Sequence, residues 1–259
     1  MNQNEKQSSI VVMTAGGNNP WVMINALKVH WPDLQVIQEH PESKSTLLKR
    51  RAKRLGWLTA IGQIGTMVAS RLGKNIAAKR SGEILKSYGH LDAVDPSIAI
   101  HEVNSLNDTQ CHALLATIRP QVILTISCRL LSRQTLAASP CPVINFHAGI
   151  NPAYRGQMGG YWSLVEGDAG NFGATVHLVD AGTDTGSTLY ETRLKPEKHD
   201  FISTYPLLLT AASTEIVIKA IDEGLRNAFR PIPQVGRSVL RFPPPLWTWV
   251  WNGLTKGIW

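Results

Sequence analysis

The segment from Ser9 to Gln38 constrains the fold most. Ser9–Thr14 (SIVVMT) is a continuous apolar run, the pattern of a strand buried on both faces. AGGNNP follows it, Pro20 suits the first turn of a helix that Trp21 to Val29 continue, and Leu34 to Gln38 is a short second strand. Strand, glycine turn, helix, strand is the opening of a parallel α/β sheet. Further along, Asp108 is placed to cap a helix through Ile118, and Pro120 stops it. QVILTIS and Val143–His147 are the next buried strands, and Gly173–Val179 and Ser187–Leu194 are further candidates. Asp200 is placed to cap a long helix from about Phe201 to Glu223. The chain shows no internal repeats.

A chain of 259 residues has room for one large α/β domain or two small ones. Cys111, Cys128 and Cys141 have neither disulfide-type nor metal-type spacing, which points to a reducing compartment and no metal site. The N-terminus lacks a basic stretch followed by an apolar core, so no secretory signal is expected. The weakly charged run Leu55–Ser70 is too short to span a bilayer.

Charge is unevenly placed. The ten Lys and Arg residues between Ser43 and Gly82 have no acid among them, so this segment carries +10 of a net +7 and the remaining chain carries −3. The protein is therefore a near-neutral domain with one basic segment, and nucleic acid is not an expected partner. Within the segment, Leu55, Leu58, Ile61, Ile64, Val68 and Leu72 recur at three and four residues, the spacing of an amphipathic helix, although Gly56, Gly62 and Gly65 weaken it.

Asn145 and His147 end a predicted strand two residues apart and so share one side of it, at the carboxyl end where open α/β sheets bind ligands. By themselves such residues are as readily a satisfied structural pair. The residues that follow extend the pattern: INFHAGINPAYRG, then GGYW, EGD and GATVHLVDAGTDTG. Together these resemble the folate-dependent formyltransferases, which include glycinamide ribonucleotide, methionyl-tRNA and sugar-nucleotide N-formyltransferases. The resemblance is strong from about Ile118 to Leu194 and weaker from Ile10 to Gln38.

The resemblance implies a three-layer, doubly wound, mostly parallel sheet over residues 1–230, with a basic helical insertion at about 43–90 and a Pro/Trp-rich tail at 231–259. It implies that Asn145, His147 and Asp184 are catalytic and that the co-substrate is 10-formyltetrahydrofolate, with no metal. Arg129, Leu130 and Leu131 are implied to line the pteridine pocket, and the loop from Asp180 through Thr183 to Asp184 to offer it backbone groups. In that chemistry an amine attacks the formyl carbon. The Asn145 amide can donate to the oxyanion, an imidazole such as His147 can donate near neutral pH, and Asp184 can orient His147 or relay the amine's proton. Asp184 and Asp180 also read as turn residues, Leu130 and Leu131 as core, Arg129 as a solvated loop residue and His177 as a packed histidine.

The turn His147-Ala148-Gly149-Ile150-Asn151-Pro152 departs from the family's commoner form, and AGGNNP lacks the phosphate-loop form of the purine enzymes. Too few residues follow Pro231 for the extra β-barrel of the tRNA enzymes. The expected acceptor is therefore a small primary amine, with an amino sugar on a nucleotide first. A formyl-folate hydrolase, a methionyl-tRNA formyltransferase-like enzyme and a non-catalytic folate-binding protein are the alternatives. Trp247, Trp249, Trp251 and Trp259 are of the type found at membrane interfaces. With the 43–82 segment they are expected to form an anionic-membrane surface or a homodimer surface, or to clamp the tail onto the domain. The expected location is the cytoplasm, peripheral to the inner face of a membrane if that surface binds lipid.

Overall fold

A computed structural model describes residues 9–72 and 74–259. The strands are β1 (Ile10–Thr14), β2 (Gln35–Glu39), β3 (Ala99–Val103), β4 (Val122–Ile126), β5 (Val143–His147), β6 (Arg155–Gly156), β7 (Gly173–Leu178), β8 (Thr188–Arg193) and β9 (Leu240–Arg241). Seven of them form one sheet in the order β3-β2-β1-β4-β5-β7-β8. The first five are mutually parallel; β7 runs antiparallel to β5, and β8 antiparallel to β7 at the sheet edge. A separate two-stranded ribbon pairs β6 with β9.

Alternation along the strands builds the two outer layers. Ile10 and Val12 of β1 join the larger core, with helices α1 (Asn18–His30), α8 (Tyr205–Ala211) and α9 (Thr214–Leu225). Val11 and Met13 join the other core, with α5 (Thr109–Ile118) and α6 (Arg133–Ala138). Burial of the same strand on both faces is what the continuous apolar runs require. The expected three-layer, doubly wound sheet is the observed fold. Asp108 caps α5 as expected, its Oδ1 accepting from the Cys111 N–H at 2.9 Å.

Asp200 does not cap a long helix. Its carboxylate is engaged by the buried Arg80, whose Nε and Nη2 donate to Oδ1 and Oδ2 at 2.8 and 3.1 Å. Thr204 takes the N-cap position instead, and the predicted helix is split into α8 and α9.

The connection between β2 and β3 holds three helices, α2 (Lys44–Leu55), α3 (Trp57–Leu72) and α4 (Lys74–Tyr88). The apolar stripe of α3 faces outward and its polar side chains face the domain. Leu58 and Val68 are 73% and 55% exposed, whereas Gln63 and Thr66 are 1% and 4% exposed. The cause is the chain that α3 packs against. Pro243, Pro244 and Pro245 have carbonyls to satisfy and no N–H to offer. Gln63 Nε2 donates to the Pro243 carbonyl at 2.9 Å, and Thr66 Oγ1 to the Pro244 carbonyl at 2.8 Å. Gly62 and Gly65 let this run and α10 (Leu246–Lys256) approach closely: a Cβ at Gly62 would lie 2.5 Å from the Trp247 ring. Of the glycines that argue against a helix from propensity alone, Gly62 and Gly65 are thus its packing surface, and Gly56 ends α2.

The ion pair holding α4 to the domain is the most exacting buried polar feature here. Asp200→Ala leaves the Arg80 guanidinium without its principal partner, and should cost about 3–5 kcal/mol of stability in urea unfolding.

Candidate active site

β4 and β5 end side by side, and a cavity of ≈ 690 Å³ opens at their carboxyl ends. Asn145 and His147 both line it, on the same side of β5 as strand alternation requires. Asp184, between β7 and β8, joins them. Asn145 Nδ2 donates to Asp184 Oδ1 at 3.2 Å, and His147 Nδ1 lies 3.6 Å from Oδ2. The Gly156 N–H of β6 donates to Oδ2 at 2.8 Å. The Asp184 backbone is left-handed, with φ 52°, a conformation Asp tolerates better than most residues. Arg155 Nη1 donates to the Thr183 carbonyl at 3.0 Å and Gln234 Nε2 to the Asp184 carbonyl at 3.1 Å, which hold the loop in place.

The tautomer of His147 follows from its surroundings. Its Nε2 is 2.8 Å from the Tyr154 carbonyl, which can only accept, so Nε2 carries the proton and Nδ1 faces Asp184. Tyr154 is fixed in turn, its hydroxyl donating to Asp168 Oδ2 at 2.8 Å. Gly149 makes this approach possible: a Cβ there would lie 2.5 Å from His147 Nε2 and 2.6 Å from the Tyr154 carbonyl oxygen. The unusual H-A-G turn is therefore a steric requirement of the histidine's position.

Thr125, on the neighbouring strand, donates to Asn145 Oδ1 at 2.8 Å and so turns the amide N–H groups toward Asp184. His177 belongs to the same cluster. The sequence suggests a packed histidine, and it is buried, but β7 places it directly across from Asn145. Its Nε2 lies 3.1 Å from Asn145 Nδ2 and 3.3 Å from Asp184 Oδ1. The signal was its position two residues along β7 from Thr175, the partner of His147, which sets it on the same face. Burial opposes the charge on Asp184, but His147, His177 and the Gly156 amide together hold its carboxyl well below the usual carboxylate range.

Arg129, Leu130, Leu131 and Thr183 all line the cavity. Leu131 is also part of the core, and Leu130 is exposed. Arg129 is partly exposed but not free: its Nε donates to the buried Glu39 at 2.7 Å and its Nη2 to the Asn104 carbonyl at 2.8 Å. The Asp180 side chain is absent from the cavity lining. Its Oδ1 accepts from the Gly182 N–H and the Thr185 hydroxyl, at 2.9 and 2.6 Å, and so shapes the loop. The cavity also receives residues the motif does not include. Arg50, Arg51 and Arg54 enter from α2, and Leu240, Arg241 and Phe242 from the C-terminal segment. A second depression of ≈ 610 Å³, lined by Arg119, Pro120 and Pro142 among others, lies away from this cluster.

A family model for formyl transferases matches residues 68–221, more than half of the chain. The chain belongs to the formyl transferase family. This formyl transferase is 24% identical over 165 residues to the methionyl-tRNA formyltransferase of Thermodesulfovibrio yellowstonii, covering 63% of this chain and 51% of the relative. It is 32% identical over 133 residues to that of Roseiflexus sp., covering 50% and 40%. The chain thus spans about half the length of such relatives or less. Two solved structures share its fold. Glycinamide ribonucleotide transformylase 1 from Symbiobacterium toebii has a TM-score of 0.57 and 16% identity, covering 92% of this chain and 96% of that one. A 4-N formyltransferase from Francisella tularensis has a TM-score of 0.56 and 15% identity, covering 91% and 76%.

Because the space beside Gly149 is taken by backbone as well as by His147, Gly149→Ala should destabilise the protein by about 1–3 kcal/mol in chemical unfolding. It should also shift the His147 ring resonances.

Proposed function

We propose that this formyl transferase moves a formyl group from 10-formyltetrahydrofolate to a primary amine. The convergence of Asn145, His147 and Asp184 at one end of a cavity carries this reading. The amine attacks as its free base, forming a C–N bond and placing negative charge on the formyl oxygen. Asn145, turned by Thr125, donates from Nδ2 to that oxygen, exchanging its bond to Asp184 as that carboxylate takes up a proton. Asp184, held anionic by its neighbours, takes the proton the amine must lose. His147 Nδ1 receives that proton from Asp184 and returns it to N10 as the C–N10 bond breaks, so no net proton is gained or lost. His177 positions Asn145 and Asp184.

The cavity suits the folate. Leu130 and Leu131 give an apolar wall, and Gly182 and Thr183 offer backbone polar groups along one edge. Arg129, committed to Glu39, frames this wall.

The acceptor class follows from the cavity's other side. Arg51 is half-buried, and burial together with neighbouring Arg50 pushes its guanidinium pKa down. Arg54 lies over the Phe242 ring at 4.8 Å. A phosphate-bearing acceptor complements this cationic wall. An amino sugar on a nucleotide has both the amine and the phosphates.

Tetrahydrofolate release, measured with and without amino-sugar nucleotides, amino acids and glycinamide ribonucleotide, tests the reading. Release should require one phosphate-bearing amine; equal release with no amine makes the protein a hydrolase. Asn145→Ala should lower kcat about 10²–10³-fold, and Asp184→Asn should lose most turnover with its circular dichroism unchanged. Arg51→Ala should raise KM for the acceptor and leave kcat close to that of the parent.

A further inference from the structure

The outward surface formed by α3 and α10 is at odds with a freely soluble protein. On α3, Trp57, Leu58, Ile61 and Val68 lie along one face, and all four are exposed. On α10, Trp247, Val250, Trp251 and Leu254 recur at i, i+3, i+4 and i+7 and are exposed as well. The two helices pack against one another where Trp247 meets Gly62, so the stripes lie on adjoining helices. Helices ordinarily turn such stripes inward, and an adjoining pair turned outward marks an interaction surface.

Charge identifies the partner. The sequence has no Asp or Glu from Lys44 to Gly82, and none from Gly224 to Trp259. These two segments supply both helices and carry +15 by sequence; Arg50, Arg80, Arg226, Arg237 and Arg241 are paired with carboxylates from elsewhere in the chain, and the lysines of α2 border the stripes. α2 lies beside α3, with Arg51 Nη1 3.8 Å from Met67 Sδ, and it exposes Lys44, Lys49 and Lys53. An apolar stripe containing tryptophan, bordered by cations and lacking carboxylates, is the composition of a surface that lies in the headgroup region of an anionic bilayer. A second copy of the chain fits worse, since an isologous contact would bring the exposed Lys44, Lys49 and Lys53 of each copy into the same interface. No helix among the described residues is long and apolar enough to cross a membrane, so the contact required is one that rests on the surface.

We propose that α3 and α10, with the cations of α2, seat this protein on an anionic membrane surface. The proposal does not depend on the reaction assigned to the cavity.

Vesicle flotation of the full chain tests it, using phosphatidylglycerol and phosphatidylcholine vesicles at low and high salt. The protein should float with phosphatidylglycerol at low salt, be released by high salt, and float at least about tenfold less with phosphatidylcholine. The triple variant Leu58→Ser, Ile61→Ser, Leu254→Ser changes only exposed side chains. It should lose flotation about tenfold or more while its unfolding transition is unchanged. The triple variant Lys44→Glu, Lys49→Glu, Lys53→Glu should do the same. Absence of flotation on phosphatidylglycerol at low salt would overturn the proposal. So would equal flotation on both lipids, or a dimer in solution that the apolar triple variant converts to monomer.

Discussion

The arrangement of the site depends on one buried carboxylate. Asp184 is brought into the domain on a loop, and its negative charge has to be met by donors that the loop itself does not supply. Asn145 Nδ2 comes from β5 and the Gly156 amide from the ribbon, and imidazole nitrogens of His147 on β5 and His177 on β7 lie beside the carboxylate. Each donor fixes an element: β5 by its alternation, β7 by its register opposite β5, and the Tyr154–Gly156 stretch by the close passage at Gly149. The groups that neutralise the carboxylate are the same groups the proposed chemistry uses. A buried carboxylate bonded by an amide and lying beside an imidazole nitrogen that can take up its proton is a base with a relay next to it, so the solution to a solvation problem is also a reactive arrangement.

The C-terminal segment extends the same logic outward. β9 pairs with β6, and Gln234 holds the carbonyl of Asp184, so the residues beyond 230 help shape the cavity. The proline run that follows would leave carbonyls buried without donors, and α3 supplies them from Gln63 and Thr66. At that contact α3 turns its polar side chains to the proline carbonyls, each of which would cost about 1–3 kcal/mol if buried unpaired. That arrangement turns the apolar stripe of α3 to the outside, and the α3–α10 surface follows from it.

Much of the fold was legible in the residues because parallel strands buried on both faces need long apolar runs, and SIVVMT, QVILTIS and VINFH have no other economical use. The catalytic candidates were legible because they are short-range in sequence or tied to glycine-rich turns of distinctive spacing. Other features depend on partners far along the chain. The Arg80–Asp200 pair spans 120 residues, and it removed Asp200 from the capping role its local sequence suggests. His177 looked like core because its neighbours are core, and only the pairing of β7 with β5 sets it against Asn145 and Asp184. Asp180 reads both as a turn residue and as part of the loop offering backbone groups to the folate, and its side chain bonds the loop's own N–H and hydroxyl groups.

The sequence by itself determined the parallel sheet, the side of β5 on which Asn145 and His147 stand, and the helical nature of the basic segment. These are consequences of periodicity and propensity, which act over a few residues. Only the tertiary structure decided which nitrogen of His147 is free, that His177 joins the cluster, that three arginines from α2 line the cavity, and which face of α3 is buried. Those outcomes rest on distant partners: a backbone carbonyl that can only accept, a strand paired antiparallel, and a proline run with no N–H to offer. Such partners are set by the packing of the whole chain, and no local pattern encodes them.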